Sequence, residues 1–151
     1  MARRCALLAL LIAALATLGC GRDESPPPPG CDDADQGLAA LRKAPGAARL
    51  DNGTALSTCV RQAFSDADLQ SIGIAFTAMA DSLARRAATS DAAALQMGYL
   101  VGATRRGAAH TNGVQAELVR RIEQATLLDD TAPAARRAAF DRGLAAGRAR
   151  G

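Results

Sequence analysis

Apolar residues recur every three or four positions through most of the chain after residue 31. This period predicts amphipathic helices, and no stretch shows the two-residue alternation and β-branched enrichment that are typical of strands. The predicted helices lie at about 32–43, 55–64, 66–88, 91–109, 114–128 and from 131 onward. The pattern therefore predicts an all-α fold, a small antiparallel helical bundle of three main helices plus shorter ones.

Several predicted helix starts carry residues that can cap them. Ser65 is followed three positions later by Asp68, which is the spacing of a capping box before the longest predicted helix. Ser90 stands just before the next helix, where its hydroxyl can accept from a free backbone amide. Turn-forming residues at 45–46 and 51–53 indicate an irregular loop between the first two helices.

The last predicted helix has a thin apolar face, formed by Phe140 and Leu144. Most large apolar side chains lie earlier, so we expect the stable core within 56–128. The C-terminal segment 131–151 is expected to dock weakly or fray, and to be dispensable for folding. It holds five Arg and one Asp, a charge of +4, and one hypothesis is that it makes a salt-sensitive contact with anionic lipid. The alternative is a solvated helix whose Arg content reflects codon bias.

The amino-terminal segment has a continuous apolar run instead of the helical spacing seen after residue 31. Arg3 and Arg4 precede an apolar run that ends at Leu18, too short for the ~20 residues that a transmembrane helix needs. The chain turns polar directly after Gly19 and Cys20. This segment resembles the lipobox signal of bacterial lipoproteins over about 20 residues, although Thr stands where Leu is commonest, three positions before the cysteine.

The resemblance implies removal of residues 1–19 and attachment of lipid to Cys20. The protein would then be exported and held to the bacterial cell envelope by its lipid. In a bacterium with an outer membrane the implied location is the periplasmic face of that membrane, and otherwise the outer face of the cell membrane. The alternative is an ordinary cleaved signal, or a short uncleaved anchor, in which Cys20 has no role.

Four consecutive prolines make residues 20–30 an extended spacer that cannot join a helix. The chain thus divides into a signal peptide at 1–19, this spacer, a helical domain at 31–130 and the Arg- and Ala-rich segment 131–151. Beyond the signal, the chain carries no motif of a known family.

Two of the four cysteines belong to the helical domain, Cys31 and Cys59. Disulfides persist in exported proteins, so the sequence predicts a bond between these two residues. Closing a loop of this length stabilises a fold by roughly 3–4 kcal/mol in the chain-entropy model. The alternative is a pair of free, buried thiols.

Composition excludes several classes of site. The chain has one His, no Trp and 3% aromatic residues, which excludes a metal site of several His ligands and an aromatic platform for single-stranded nucleic acid. Residues 31–130 hold ten basic and twelve acidic side chains, a balance of −2, so no broad basic face favours nucleic acid. No nucleophile pattern accompanies the single His. We therefore expect no enzymatic activity, no cofactor and no metal.

One segment gathers candidate chemistry. Gly98 and Gly102 lie four apart on a predicted helix, and Arg106 and His110 continue that spacing, beside Arg105. If the glycines open a cleft, an Arg there could bind a carboxylate or phosphate through two N–H donors. The alternative is that both arginines are solvated and His110 caps the helix end.

Two functions remain from this pattern. The first is a lipid-anchored envelope protein that acts as a non-catalytic interaction or structural module, contacting an unknown protein partner. The second is an envelope protein that binds a small ligand or anion in a pocket near Arg106 and His110.

Overall fold

The computed structural model describes residues 25–109, 111, 113 and 115–151. Within them the chain forms six helices and one isolated β-bridge, between Arg49 and Ala55. The helices are α1 (Ala34–Leu41), α2 (Leu56–Arg61), α3 (Asp66–Ala87), α4 (Asp91–Ala108), α5 (Ala116–Ala125) and α6 (Ala134–Arg150). The all-α class and the small helical bundle are thus confirmed.

The longest helices begin where the sequence predicts. The Ser65 hydroxyl accepts from the amide of Asp68 at 3.1 Å, and the Asp68 carboxylate accepts from the amide of Ser65, so the capping box is formed. The Ser90 hydroxyl accepts from the amide of Ala93 at the start of α4. Each bond satisfies a backbone donor that the first helical turn leaves without a partner.

The predicted disulfide is formed. Cys31 and Cys59 are bonded, with 5.4 Å between their Cα atoms, and both residues are buried. The bond joins the end of the spacer to α2 and closes a loop that contains α1. It therefore fixes the first helix and the loop after it to the rest of the core.

The central layer of the core is the hairpin of α3 and α4. Only residues 88–90 separate the two helices, so they run antiparallel. Their contact is made by large apolar side chains that are almost wholly buried, and that follow the predicted helical spacing. These side chains are Ile72, Phe76, Met79 and Leu83 on α3, with Met97 and Leu100 on α4.

The expectation of a weakly docked C-terminal segment is wrong. Helix α6 has 17 residues and packs against α4 along its length, with Ala139, Gly143 and Gly147 buried. Its first turns are held by Arg136, which pairs with Asp91 at 3.1 Å and donates to the carbonyl of Ala88. The segment is a structural element of the bundle, so we expect folding to require it.

The contact between α4 and α6 is parallel, which departs from the predicted antiparallel bundle. Gly98 faces Phe140 and Leu144, whereas Gly102, one turn later, faces Leu144 and Arg148. The contacts advance together along both helices, so the two helices point the same way. The long connection through α5 makes this direction possible, since α5 returns the chain to the start of α4.

The third long helix is α6 and not the predicted helix at 114–128. Helix α5 has 10 residues and ends where the hydroxyl of Thr126 donates to the carbonyl of Ile122 at 2.7 Å. The core is also wider than 56–128, because Leu41, Leu50 and Ala139 are buried with it. Residues 25–151 contain this whole core and its disulfide, so we expect them to fold as a unit.

Candidate functional site

The glycine face of α4 does not open a cleft. A Cβ added at Gly98 would lie 2.9 Å from the Leu144 amide nitrogen, and one at Gly102 would lie 2.8 Å from that of Arg148. Both distances are far inside van der Waals contact. The pocket expected beside Gly98 and Gly102 is therefore corrected: α6 occupies that space.

The partner of this face is a second small-residue row, which carries no hydrophobic pattern in the sequence. Ala139, Gly143 and Gly147 lie four apart on α6, the same spacing as on α4. A Cβ at Gly143 would lie 2.9 Å from the Tyr99 nitrogen, and one at Gly147 would lie 2.9 Å from that of Ala103. Two rows with one spacing on two helices are the signal that could have predicted this contact.

The candidate arginines point to different parts of the molecule. Arg105 forms an ion pair with Glu123 of α5 at 2.6 Å, and about a third of each side chain is exposed. Arg106 is exposed and donates through Nη1 to the carbonyls of Arg148 and Ala149 at the end of α6. His110 and Cys20 lie outside the described residues. The candidate residues that are described thus fall into three places.

Arg105 belongs to a cavity of about 590 Å³ between α4, α6 and the loop 126–130 that follows α5. We call it the apolar groove. Its apolar lining is Val101, Leu127, Leu128, Phe140 and Leu144, and its polar lining is Arg105, Glu123, Thr126, Asp129, Asp130, Arg137 and Asp141. The volume lies within the range of clefts that take a small ligand or a few side chains of a partner.

The rim of the apolar groove carries an excess of negative charge. Four carboxylates and two guanidinium groups line it, a balance of −2. Arg105 is paired with Glu123, while Arg137 donates to the backbone carbonyl of Asp130. Bonds from the hydroxyl and amide of Thr131 lower the pKa of Asp129, so this carboxylate stays charged.

Leu127 stands exposed at the mouth of the apolar groove. Its exposed fraction is 78%, and among the described residues only Ile74, at 65%, is a comparably exposed large apolar side chain. Ile74 lies on the outer face of α3, which is a different surface. Leu127 therefore extends the apolar lining of the groove to its solvent-facing edge.

Arg106 belongs to another cavity, of about 400 Å³, which we call the arginine pocket. It lies where the end of α6 meets α2 and the loop before it. Its lining residues are Ala47, Arg49, Ala55, Ser57, Thr58, Arg61, Arg106, Ala149, Arg150 and Gly151. Four of them are arginines and none is acidic, so the chemistry of this pocket suits an anion.

Comparison of the chain with family models, with curated proteins and with solved structures found no match. Across the described ranges, no three His, Cys, Asp or Glu side chains come together as a metal site would need. The same part of the chain has no helix with the length and apolar character to cross a membrane.

Proposed function

We propose that this chain is a lipid-anchored protein of the bacterial envelope and a non-catalytic module that binds another protein through the apolar groove. The observation that carries the proposal is the groove itself, which combines an apolar floor, an acidic rim and the exposed Leu127. The anchor is supported by the lipobox-like segment that ends at Cys20 and by the proline spacer behind it.

The lining of the apolar groove favours one kind of partner. The floor, which includes Val101, Phe140 and Leu144, offers burial to two or three apolar side chains. Around it, Asp129, Asp130 and the other carboxylates outnumber the arginines. The complementary surface is a basic amphipathic segment, with apolar side chains on one face and Lys or Arg at its flanks.

The location follows from the anchor. A lipid on Cys20 would hold the protein on the periplasmic face of an outer membrane, or on the outer face of the cell membrane where there is no outer membrane. The partner would then be another exported protein, or the exported part of a membrane protein.

The groove is tested with two synthetic helical peptides of equal length, one of Lys and Leu and one of Glu and Leu. Binding to residues 25–151 is measured by fluorescence anisotropy. We expect the Lys–Leu peptide to bind and the Glu–Leu peptide to bind at least tenfold more weakly. Added salt is expected to reduce the difference, because the rim charges are exposed.

Leu127→Ser and Ile74→Ser are the matched variants for this test. Leu127→Ser is expected to weaken the Lys–Leu peptide about tenfold, since one partly buried Leu contributes on the order of 1.5 kcal/mol. Ile74→Ser removes an equally exposed apolar side chain elsewhere and is expected to change nothing. Equal effects of the two variants, or equal binding of the two peptides, would rule out the groove as the partner site. Binding of a small apolar amine but of neither peptide would favour the small-ligand function instead.

The anchor is tested by intact-mass analysis of the protein extracted with detergent from its bacterial host. We expect a chain that begins at Cys20 and carries acyl groups. Cys20→Ala should abolish the acylated form, whereas Cys5→Ala, a change within the signal, should leave it unchanged. A mature chain that begins elsewhere or carries no lipid would contradict the anchor.

A further inference from the structure

The arginine pocket concentrates positive charge, and no acidic side chain lines it. Its arginines are Arg49, Arg61, Arg106 and Arg150. The ion pairs of the described residues involve other arginines. Charge of one sign that is collected in a concave surface attracts counter-ions more strongly than the same charge spread over a face.

Each of the four guanidinium groups is held by a neutral oxygen. Arg49 and Arg150 donate to the carbonyls of Gly53 and Pro45, at 3.1 Å and 2.9 Å. Arg61 donates to the hydroxyl of Thr58, and Arg106 to two carbonyls of α6. These bonds orient the side chains without neutralising them. Each group uses one nitrogen in these bonds, which leaves N–H donors on the other two for an anion.

The negative groups close by do not cancel this charge. The carboxyl end of α6 contributes about half a negative charge. A free carboxylate at Gly151, whose oxygen accepts from the Ser57 hydroxyl, would offset one more. The four arginines therefore leave an excess of at least about 2.5 positive charges.

The pocket lies at the end of the molecule where the spacer enters. Asn52 donates to the carbonyl of Pro29 at 2.9 Å, and Cys31 is bonded to Cys59. Both attachments are to the segment 49–61, which also supplies half of the pocket lining. A lipid anchor eleven residues before Cys31 would keep this end within about 40 Å of the membrane, even with the spacer fully extended.

We propose that the arginine pocket binds the phosphate groups of anionic phospholipid headgroups. Guanidinium groups recognise phosphate through paired N–H donors, and a lipid surface supplies phosphate at high density. The pocket would orient the anchored domain with its spacer end toward the lipid. The inference rests on the proposed envelope location, but the binding itself needs no lipid on Cys20.

The test uses residues 25–151, which contain the whole core and its disulfide and lack the lipid site. Flotation is measured with vesicles of phosphatidylcholine alone and of phosphatidylcholine mixed with phosphatidylglycerol. We expect salt-sensitive binding to the anionic vesicles only. Arg61→Gln with Arg150→Gln should weaken partitioning about 25-fold, at about fivefold for each basic residue near the surface.

Arg85→Gln with Arg142→Gln is the matched control, because both residues are exposed, lie outside the pocket and make the same change in net charge. We expect it to weaken partitioning less than about twofold. Equal losses in the two double variants would show a general charge effect and would overturn the proposal. The proposal would also be overturned if inorganic phosphate, at the phosphate concentration of the vesicles, abolished vesicle binding completely. That result would indicate a site for the soluble ion. A negative result for the arginine pocket would not contradict the proposals for the apolar groove and the lipid anchor. Those two proposals are tested separately, by peptide binding and by intact-mass analysis.

Discussion

Helix α4 packs against its two long neighbours in opposite ways. Toward α3 it presents large side chains, such as Met97 and Leu100, which interdigitate with Phe76 and its neighbours. Toward α6 it presents glycines, so that the two backbones touch directly. Each of the two contacts buries a different side of α4. Only the first is visible as a hydrophobic pattern.

The difference shows that the size of apolar side chains is a poor measure of how firmly a helix docks. Close backbone approach gives many atom contacts at ideal distance, each of them weak and together substantial. Weak Cα–H···O bonds between close helices add to these contacts. Small residues also lose no side-chain entropy when they are buried. Helix α6 therefore packs closely although few of its side chains are large.

Removal of α6 should cause the largest loss of stability among the changes predicted here. A chain that ends at residue 133 would expose the glycine face of α4 and lose the bonds of Arg106 and Arg136. We expect a loss of more than about 5 kcal/mol, comparable with the whole stability of a small domain. Circular dichroism during heating should show no cooperative transition. A truncated chain that melts within a few degrees of the complete one would contradict this interpretation.

Phe76→Ala breaks the contact of large side chains between α3 and α4. Phe76 is wholly buried, so the variant should lose about 3–5 kcal/mol through lost burial and the cavity left behind. Denaturation in urea measures the change. Ile74→Ala, two residues away and exposed, is the control and should change stability by less than about 0.5 kcal/mol. A loss below about 1 kcal/mol for Phe76→Ala would count against a core centred on this helix pair.

Gly143→Ala against Gly73→Ala isolates the contact between backbones. A methyl group at Gly143 meets the backbone of Leu95 and Tyr99 in α4, whereas one at Gly73 meets nothing within 4 Å. We expect Gly143→Ala to cost about 1–3 kcal/mol, because α6 must move away. Gly73→Ala should stabilise α3 by about 0.5–1 kcal/mol, as the same change does in other helix interiors. No loss of stability in Gly143→Ala, or a loss no larger than that of Gly73→Ala, would show that the glycine contact is unimportant.

Glu117 lies outside both helix interfaces, and its ion pairs should have the smallest effect on the free energy of unfolding. Side-chain hydrogen bonds from Arg120 and then Arg121 lower its pKa to about 2 on the surface of α5. Because its pKa is lower in the folded state, its small contribution is complete above pH 4.5 and is lost as the pH falls toward 2. The difference in unfolding free energy between the natural chain and Glu117→Gln should shrink over that interval. A difference that stays constant with pH would contradict the lowered pKa.

Much of the fold could be predicted from local sequence. The helix from Ser65 begins at its capping box and ends within a residue of the predicted limit. The disulfide followed from cysteine count and expected compartment. Helix α5 ends earlier than predicted because the Thr126 hydroxyl bonds back to the helix, which periodicity alone does not register.

Less of the site could be predicted, because it depends on which elements meet. Arg105 and Arg106 are neighbours in sequence but point about 100° apart on a helix. One therefore reaches α5 and the apolar groove, and the other reaches the end of α6 and the arginine pocket. Arg49, Arg61 and Arg150 have no sequence relation that would join them to Arg106. They meet because the ends of α2, α4 and α6 and the loop before α2 come together at one place.

The sequence by itself determined what each short stretch does: where helices start, which faces are apolar, and which cysteines can pair. These properties depend on residues a few positions apart, so spacing records them. The tertiary structure alone decided that the glycine faces of α4 and α6 each pack on the backbone of the other helix, and that two sets of charges line two separate cavities. Contacts between distant segments depend on how whole helices fit together, and glycines leave no hydrophobic signal of that fit.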